Sequence, residues 1–303
     1  MKILIAPDSF KGSLSAKEVC DIISRSLSDI DGVETVSLPL SDGGEGFGNC
    51  CCDCCKGDII YDRFSDIYGN TISAPVYFCK DIAVIECACA CFLQEKRNVM
   101  DASSFGTGQQ ISFAYEKGYR KFIIGLGGSG MCDGGTGALA ALGASFYDNN
   151  NKVIPFPTGK DLGIISKIEY SEKIKKIAEE CSFTYACDVE NPYYGVNGAA
   201  YVFAPQKGAD EKQVEELDKG LRNVAGLFNR DISAIPGSGA AGGLCGGLLA
   251  VLGGKTESGF DIIANLADLE EHIKNSDIVV TGEGKTDYQT PVSYTHLTLP
   301  TNS

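Results

Sequence analysis

Short apolar runs of strand length alternate along this chain with longer stretches that carry apolar residues at helical spacing. Lys2 to Ala6 is typical of a buried parallel strand, and Val33 to Leu38 is the next run of this kind. Between them, Ser15 and Glu18 have the spacing of a capping box, which predicts a helix that begins directly after Ser15. This alternation predicts an α/β protein in which ligand loops follow the strands.

The pattern changes between Asp58 and Glu86, where short alternating runs are separated by turn residues. This texture predicts a domain boundary near residue 60 and a sheet with antiparallel pairs beyond it. Cys87, Cys89 and Cys91 alternate at the end of an apolar run, so we predict that they lie on a strand and pack in the core. Later helices are predicted over residues 103–117, 160–180, 210–228 and 241–252, and later strands over 121–125, 144–147 and 277–280.

Charge and hydropathy exclude several classes of protein. The chain has 303 residues and a net charge of -14, and such a surface repels nucleic acid. The first apolar run is too short for a secretory signal, and the stretch from Ala240 to Leu252 is too short and too rich in glycine to span a membrane. We therefore expect a cytoplasmic protein that acts on a small molecule.

The 14 cysteines raise the question of a disulfide scaffold or a metal site. In a cytoplasmic protein the thiols are expected to stay reduced. The densest group, Cys50 to Cys55, lies on one predicted helix without a nearby histidine, and neighbours on one helix do not close a tetrahedral metal shell alone. We interpret the cysteines as small core residues.

The first polar loop follows the first strand, the position where α/β sheets bind ligands. It runs from Pro7 to Gly12 and holds Asp8, Ser9 and Lys11. Alone, such a set is more often a helix cap with a solvated lysine.

The second loop, Ser41 to Gly46, follows the second strand. Its glycines, Gly43 and Gly44, can present backbone N–H groups to an anion, and Asp42 and Glu45 have the oxygen ligands that a cation needs. The alternative is a turn whose acidic residues only favour the start of a helix.

The third loop contains a G-x-G-x-x-G pattern, Gly125 to Gly130, directly after a predicted strand. This pattern is typical of dinucleotide binding, but it is weak evidence in a chain so rich in glycine. A phosphate cradle explains the loop equally well, with the amides of Gly127, Gly128 and Ser129 on the anion and Asp133 near a metal ion.

A fourth loop, Thr281 to Asp287, and two further segments, Ala186 to Pro192 and Pro205 to Gly208, add carboxylates and a lysine. Phosphoryl transfer needs this inventory: amides and cations for phosphates, carboxylates for Mg2+, and a base near the acceptor hydroxyl. The loops therefore favour phosphoryl transfer over hydride transfer.

Six ordered motifs carry a resemblance to the type I glycerate kinase family. They are APDSFKGSLSA at 6–16, LSDGGEGF at 40–47, GLGGSGMCDGGTGALAALGA at 125–144, ACDVENPYYGVNGAAYVFAPQKGA at 186–209, GSGAAGGLCGGLLA at 237–250 and TGEGKTDYQT at 281–290. The resemblance implies ATP-dependent phosphorylation of D-glycerate, most simply at the 2-hydroxyl, with Mg2+ accompanying the nucleotide.

The resemblance also implies two α/β domains. A Rossmann- or flavodoxin-like domain is expected from both chain ends, residues 1–60 plus 275–303, and a mixed-sheet α/β domain is expected over 61–274. A homodimer is compatible with this organisation. Site residues carried over from the motifs are Asp8, Ser9, Lys11, Asp42, Glu45, Asp188, Asn191, Lys207, Gly282, Glu283 and Asp287.

Within this set, we expect Asp188 to be the general base, because it follows an apolar strand and is partly desolvated there. Lys11 and Lys207 are expected at the phosphoryl group or the substrate carboxylate. Asp42, Glu45 and Glu283 are expected at Mg2+ or at substrate hydroxyls.

Two alternatives stay open at this point. The glycines at 125–130 are compatible with an NAD(P)-dependent oxidoreductase of a small hydroxy acid. Residues 291–303 depart from the family pattern and resemble a non-native tail, so a catalytically inactive, truncated fragment is the second alternative.

Overall fold

The structure is a computed structural model and describes residues 1–10, 12–41, 43–44, 46–233 and 235–284. Its strands are β1 (Lys2–Ile5), β2 (Glu34–Ser37), β3 (Asp58–Ser65), β4 (Thr71–Cys79), β5 (Ile82–Glu86), β6 (Lys121–Gly125), β7 (Ala144–Asp148), β8 (Val153–Ile154), β9 (Ile165–Tyr170), β10 (Ser182–Ala186), β11 (Lys255–Glu257) and β12 (Ile278–Val280). Its α-helices are α1 (Ala16–Leu27), α2 (Phe47–Cys55), α3 (Cys87–Cys91), α4 (Phe105–Glu116), α5 (Thr136–Leu142), α6 (Glu172–Glu180), α7 (Ala199–Phe203), α8 (Glu211–Ala225), α9 (Leu244–Leu252), α10 (Gly259–Leu266) and α11 (Leu269–Lys274).

A parallel sheet joins the two ends of the described chain. Its strand order is β12-β1-β2, and Ile3 of β1 pairs with Ile278 on one side and Thr35 on the other. Helix α1 begins at the predicted capping box, in which Ser15 and Glu18 cap each other's backbone N–H. The loops that follow β1, β2 and β12 therefore leave the sheet at the same edge.

A larger sheet has the strand order β11-β10-β6-β5-β4-β3. Strands β5, β6, β10 and β11 are parallel, whereas β3, β4 and β5 pair antiparallel, which confirms the antiparallel pairs predicted beyond residue 58. The parallel strands β5 and β6 are almost wholly buried, as expected for a sheet covered on both faces. A third, small sheet has the order β8-β7-β9. The chain is thus a mixed α/β protein.

Helix α2 packs between the sheet β12-β1-β2 and the six-stranded sheet, which we call the two large sheets. Phe47 and Cys51 are fully buried there, beside Tyr77 and Val84 of the larger sheet and Leu4 of the smaller one. The cysteines of this helix therefore pack in an apolar core, as predicted. Among the described residues, every cysteine is a free thiol and no group of three His, Cys, Asp or Glu side chains is arranged to hold a metal ion.

Two predicted elements are wrong. Residues 160–180 do not form one helix, because Ile165–Tyr170 pairs as β9 with β7, and Ser171 then caps the shorter helix α6. Cys87–Cys91 is a helical turn, α3, and not the end of a strand. A turn places Cys87 and Cys91 in the core together and leaves Cys89 only partly buried.

The predicted division of the chain at residues 60 and 275 stays a prediction, and two observations bear on its boundaries. Residue 60 lies inside the continuous strand β3, so a boundary there would cut a strand. Helix α10 packs against α2, and Phe260 and Ile263 share the core of the end-built sheet. The predicted tail, residues 291–303, lies outside the described residues.

Candidate active site

The first and fourth predicted loops lie side by side, because β1 and β12 are neighbouring parallel strands. The backbone N–H of Asp8 donates to the carbonyl of Gly282 over 2.8 Å, and the Thr281 hydroxyl donates to the carbonyl of Ala6 over 2.8 Å. The second loop joins them, since the N–H of Leu40 donates to the carbonyl of Pro7 over 2.9 Å.

The second and third loops touch backbone to backbone. A Cβ atom on Gly127 would lie 2.6 Å from the Cα of Gly44, so only glycine fits at position 127. A Cβ atom on Gly43 would lie 3.7 Å from the Oδ2 atom of Asp188, which places the segment after β10 in the same cluster. Loops from both large sheets therefore meet.

A cavity of about 450 Å3 lies where these loops meet, and we call it the glycine cavity. Seven of its sixteen lining residues are glycine or alanine, and its charged side chains are one lysine and one aspartate. It is lined by Gly43, Gly44, Leu93, Leu126, Gly127, Gly128, Ser129, Ala186, Cys187, Asp188, Val189, Phe203, Gln206, Lys207, Ala240 and Ala241. Seven predicted site residues are brought together here: Gly43, Gly44, Gly127, Gly128, Ser129, Asp188 and Lys207.

Lys207 is a buried cation, with 3% of its surface exposed. Its Nζ donates to the Ser129 hydroxyl over 3.0 Å and to the Met131 carbonyl over 2.7 Å. Burial lowers the pKa of Lys207, because the charged form loses its hydration. The residue therefore anchors the third loop through Ser129 and Met131 and supplies positive charge to the wall of the glycine cavity.

Asp188 follows β10, as predicted, and its side chain is exposed at the glycine cavity. The sequence predicts partial desolvation, and that expectation is wrong, because the three residues from Asp188 to Glu190 are all exposed.

A second cavity of about 1040 Å3 lies beside the first, and we call it the larger cavity. Leu93 and Gly128 line both cavities, so the two spaces are adjacent. The predicted residue Ser9 belongs to this second space. Its lining is Ser9, Phe10, Gly12, Ser13, Leu14, Ser15, Ala16, Lys17, Leu40, Gly46, Asn49, Cys50, Asp53, Ile59, Tyr77, Glu86, Ala88, Cys89, Phe92, Leu93 and Gly128.

Glu86 is a site residue that the sequence analysis missed. It ends β5, is 3% exposed, and lines the larger cavity. Its two carboxylate oxygens accept from the backbone N–H groups of Gly46 and Gly48, each over 3.0 Å. Helix α2 begins after a left-handed glycine without a side-chain cap of its own, and Glu86 fills that role. An ionisable residue at the end of a buried strand is the one signal that pointed to it.

The structure places Asp133 differently from the prediction. Its side chain is 0% exposed and lines neither cavity. The carboxylate accepts hydrogen bonds from the N–H and hydroxyl of Ser104 and from the N–H groups of Gly135 and Gly137. These four hydrogen bonds occupy the carboxylate inside the core. Asp133 therefore stabilises the third loop and does not face a phosphate.

The remaining predicted residues lie outside the linings of both cavities or outside the described residues. Asn191 lines neither cavity, and its Nδ2 donates to the Asn197 carbonyl over 2.8 Å. Glu283 follows Gly282 beside the first loop, and its Oε1 is buried without a hydrogen-bond partner among the described residues. Lys11, Asp42, Glu45 and Asp287 lie outside the described residues.

The G-x-G-x-x-G pattern does not open a helix. Helix α5 begins only at Thr136, after Gly130 has bonded to the Cys91 carbonyl and Ser129 has bridged to Phe92. A dinucleotide fingerprint requires its glycines at the start of the helix itself. The third loop therefore has the form of a cavity wall and not that of a dinucleotide-binding turn.

Comparison with known proteins identifies the family. The model described as "Glycerate kinase family" matches residues 3–298. This chain belongs to the glycerate kinase family. A glycerate kinase of Bacillus cereus is 39% identical over 96% of this chain and 78% of its own length. The glycerate 2-kinase of Escherichia coli is 39% identical over 95% of this chain and 78% of its own length.

A solved structure extends the comparison to the fold. The crystal structure of a glycerate kinase 2 from Salmonella typhimurium LT2 superposes with a TM-score of 0.86 at 36% identity, covering 96% of this chain and 80% of that one. This chain is therefore an enzyme of the glycerate kinase type, as the six motifs predicted. Within the described residues, no helix is long and apolar enough to cross a membrane.

Proposed function

We propose that this glycerate kinase transfers the γ-phosphoryl group of ATP to the 2-hydroxyl of D-glycerate, giving 2-phospho-D-glycerate and ADP. The observation that carries the proposal is the glycine cavity, where backbone of two loops, a buried ammonium and an exposed carboxylate meet. The name of the Escherichia coli relative, glycerate 2-kinase, supports the choice of hydroxyl.

In the proposed reaction, Asp188 accepts the proton of the 2-hydroxyl. The freed oxygen bonds to the γ-phosphorus, and the bond from that phosphorus to the β,γ-bridging oxygen breaks, so ADP leaves with the electron pair. Asp188 suits this role because its carboxylate is exposed at the cavity beside Gly43.

Lys207 is proposed to stabilise negative charge on the substrate carboxylate or the moving phosphoryl group. An ammonium has three N–H donors, and two of them go to Ser129 and Met131. A cation fixed this way needs no reorganisation when charge develops in the cavity. Gly127 and Gly128 line the cavity, so their backbone forms part of the wall that a ligand would contact.

Mg2+ is proposed to accompany the nucleotide. Mg2+ is usually held by one or two carboxylates together with substrate phosphates, so it does not need a cluster of three protein ligands. The buried, unpartnered Oε1 of Glu283 fits such a ligand, and Asp42 and Glu45 are the other candidates. When bound, the ion would neutralise phosphate charge. A cytoplasmic location and a homodimer stay predictions.

Glycerate-dependent release of ADP tests the reaction. Purified protein is incubated with Mg-ATP, with and without D-glycerate, and the phosphorylated product is identified by 31P NMR. We expect ADP release that requires glycerate and a 2-phosphate ester as product. A 3-phosphate ester would contradict the regiochemistry, and oxidation of NAD(P)H by a keto acid would favour the oxidoreductase instead.

Asp188→Asn tests the general base. The amide cannot take the hydroxyl proton, so we expect kcat to fall about 10²-fold or more with a smaller change in KM for glycerate. Glu190→Gln is the matched control, since Glu190 is an exposed acid of the same segment that lines neither cavity. Full turnover by the Asp188 variant would remove the residue from this role.

A further inference from the structure

Residues 92–98 follow helix α3 and contact two parts of the wall of the glycine cavity; we call them the bridging segment. At its start, Phe92 forms an antiparallel β-bridge with Ser129. The backbone N–H of Leu93 donates to the Gly128 carbonyl over 3.3 Å. The start of the bridging segment is therefore attached to the third loop.

The other end of the bridging segment contacts the chain around Lys207. The Nη1 atom of Arg97 donates to the Gln206 carbonyl over 2.8 Å, across 109 residues of sequence. Gly208 packs closely on the same residue, because a Cβ atom on Gly208 would lie 2.8 Å from the Cβ of Arg97 and 2.9 Å from its carbonyl oxygen. Arg97 therefore contacts the residues on both sides of Lys207.

The backbone of the bridging segment is held by the turn between β3 and β4. The hydroxyl of Tyr68 donates to the Lys96 carbonyl over 3.0 Å and accepts from the Asn98 N–H over 2.9 Å. These two partners flank Arg97 in the sequence. Arg97 thus reaches Gln206 from a backbone that is fixed on both sides, although its own side chain is exposed.

The position of the Lys207 ammonium depends on the backbone that carries it. Pro205–Lys207 is a single turn of 3-10 helix, in which the N–H of Lys207 donates to the Ala204 carbonyl over 3.0 Å. So short a turn has few hydrogen bonds of its own. The ammonium must meet Ser129 on the third loop, so a shift of the turn would move the charge within the cavity wall, and small displacements of a reacting group are costly.

We infer that Arg97 is a positioning residue for the reaction, which fixes the backbone at Gln206 and thereby holds the ammonium of Lys207 at the wall of the glycine cavity. The inference rests on the proposed function, because it requires Lys207 to act on a substrate. Arg97 itself lines neither cavity, so its effect on turnover passes through Lys207.

A double-mutant cycle on kcat/KM tests this dependence. The variants are Arg97→Gln, Lys207→Met and the two combined, together with Arg97→Lys, whose ammonium can still donate to a carbonyl. Arg63→Gln is the matched control, because Arg63 is an exposed arginine of β3 that lines neither cavity. The Arg97 side chain is exposed, so its variants should fold, and thermal unfolding verifies this.

We expect Arg97→Gln to lower kcat/KM for glycerate about fivefold, Arg97→Lys to recover most of that loss, and Arg63→Gln to match wild type. The combined variant should be as slow as Lys207→Met alone, within about twofold. Losses that multiply in the combined variant would show that Arg97 does not act through Lys207. Wild-type kinetics of Arg97→Gln would also overturn the inference.

Amide hydrogen exchange on the same proteins does not depend on turnover. We expect residues 204–209 to exchange faster in Arg97→Gln than in wild type, with α8 unchanged. Unchanged exchange at 204–209 would overturn the inference, even if Lys207→Met is too slow for the cycle. Failure of the proposed function is recognised separately: wild-type protein would release no ADP with glycerate, or Lys207→Met would keep full kcat/KM, while exchange at 204–209 still depended on Arg97.

Discussion

Helices α2 and α5 begin in the same way but in different parts of the molecule. Each follows a left-handed glycine, Gly46 or Gly135, that has no side-chain cap of its own. In each case a buried carboxylate accepts from the first N–H groups instead. For α5 this is Asp133, only 2 and 4 residues from the amides it binds, and for α2 it is Glu86, 40 and 38 residues away.

Asp133 and Glu86 differ in structural role as well as in their sequence distance from the amides they bind. Asp133 ties one loop to itself and to Ser104, deep in the core. Glu86 ties the start of α2 to the end of β5 and therefore joins the two large sheets at the wall of a cavity. A local cap stabilises a loop, whereas a cap from a distant strand also fixes the position of the helix relative to that strand's sheet.

The largest effect is expected for Asp133→Ala. The change leaves four buried donors without their acceptor, so we expect the free energy of unfolding to fall by about 3–5 kcal/mol. Activity per folded molecule should stay near that of wild type. Urea denaturation and an active-site titration measure the two quantities. Asp231→Ala is the control, because its exposed carboxylate accepts from the N–H and hydroxyl of Ser233 at the surface. If activity collapsed in protein that remains folded, Asp133 would have a direct part in the reaction.

A smaller loss of stability and a larger loss of activity are expected for Glu86→Gln. The amide retains one acceptor, but its NH2 group faces the second backbone N–H, so unfolding should become easier by about 1–3 kcal/mol. Displacement of the loop before α2 should raise KM for at least one substrate and lower kcat/KM about tenfold. Steady-state kinetics and the same denaturation series separate the effects. Loss of stability alone, with wild-type kinetics, would make Glu86 equivalent to Asp133.

The smallest effect concerns Lys207, which holds the cavity end of the loop that Asp133 holds in the core. Burial lowers the pKa of Lys207 in the folded state, so the unfolded chain binds its proton more readily. Between the lowered and the ordinary pKa, stability should therefore rise with pH, by at most about 1.4 kcal/mol per pH unit, while activity falls as the ammonium is lost.

Alkaline pH profiles of unfolding and of kcat/KM measure these opposite trends. Lys207→Met should abolish the contribution of this group to both, at reduced activity throughout. A wild-type activity profile that rises over the same range would mean that the charge of Lys207 is not used.

Sequence patterns predicted the elements with local signals well. The capping box at Ser15 fixed the start of α1, and the helix predicted over 210–228 is present as α8 with Asp210 as its cap. Sequence patterns failed to predict secondary structure where a segment's conformation depends on a partner distant in the chain. β9 is a strand because β7 pairs with it, and nothing within residues 160–180 records that partner.

The same limit applies to the candidate site. Glycines of the second and third loops were found because glycine-rich loops after strands are typical of anion binding, whereas the contact between Gly127 and Gly44 is visible only in the structure. Glu86 was missed because its partners lie 40 residues away, and Asp133 was misplaced because a sequence does not show which way a carboxylate points. Lys207 was found, but its burial follows only from the packing around it.

The pairing of β1 with β12 also limits when the site can assemble during synthesis. Thr281 and Ala6, which connect the fourth loop to the first, are 275 residues apart in the chain. β1 is made long before β12, so one of its edges stays unpaired until β12 has been made. A growing chain therefore exposes an apolar strand edge while the residues between β1 and β12 are being made, which is a period in which chaperones protect it from aggregation.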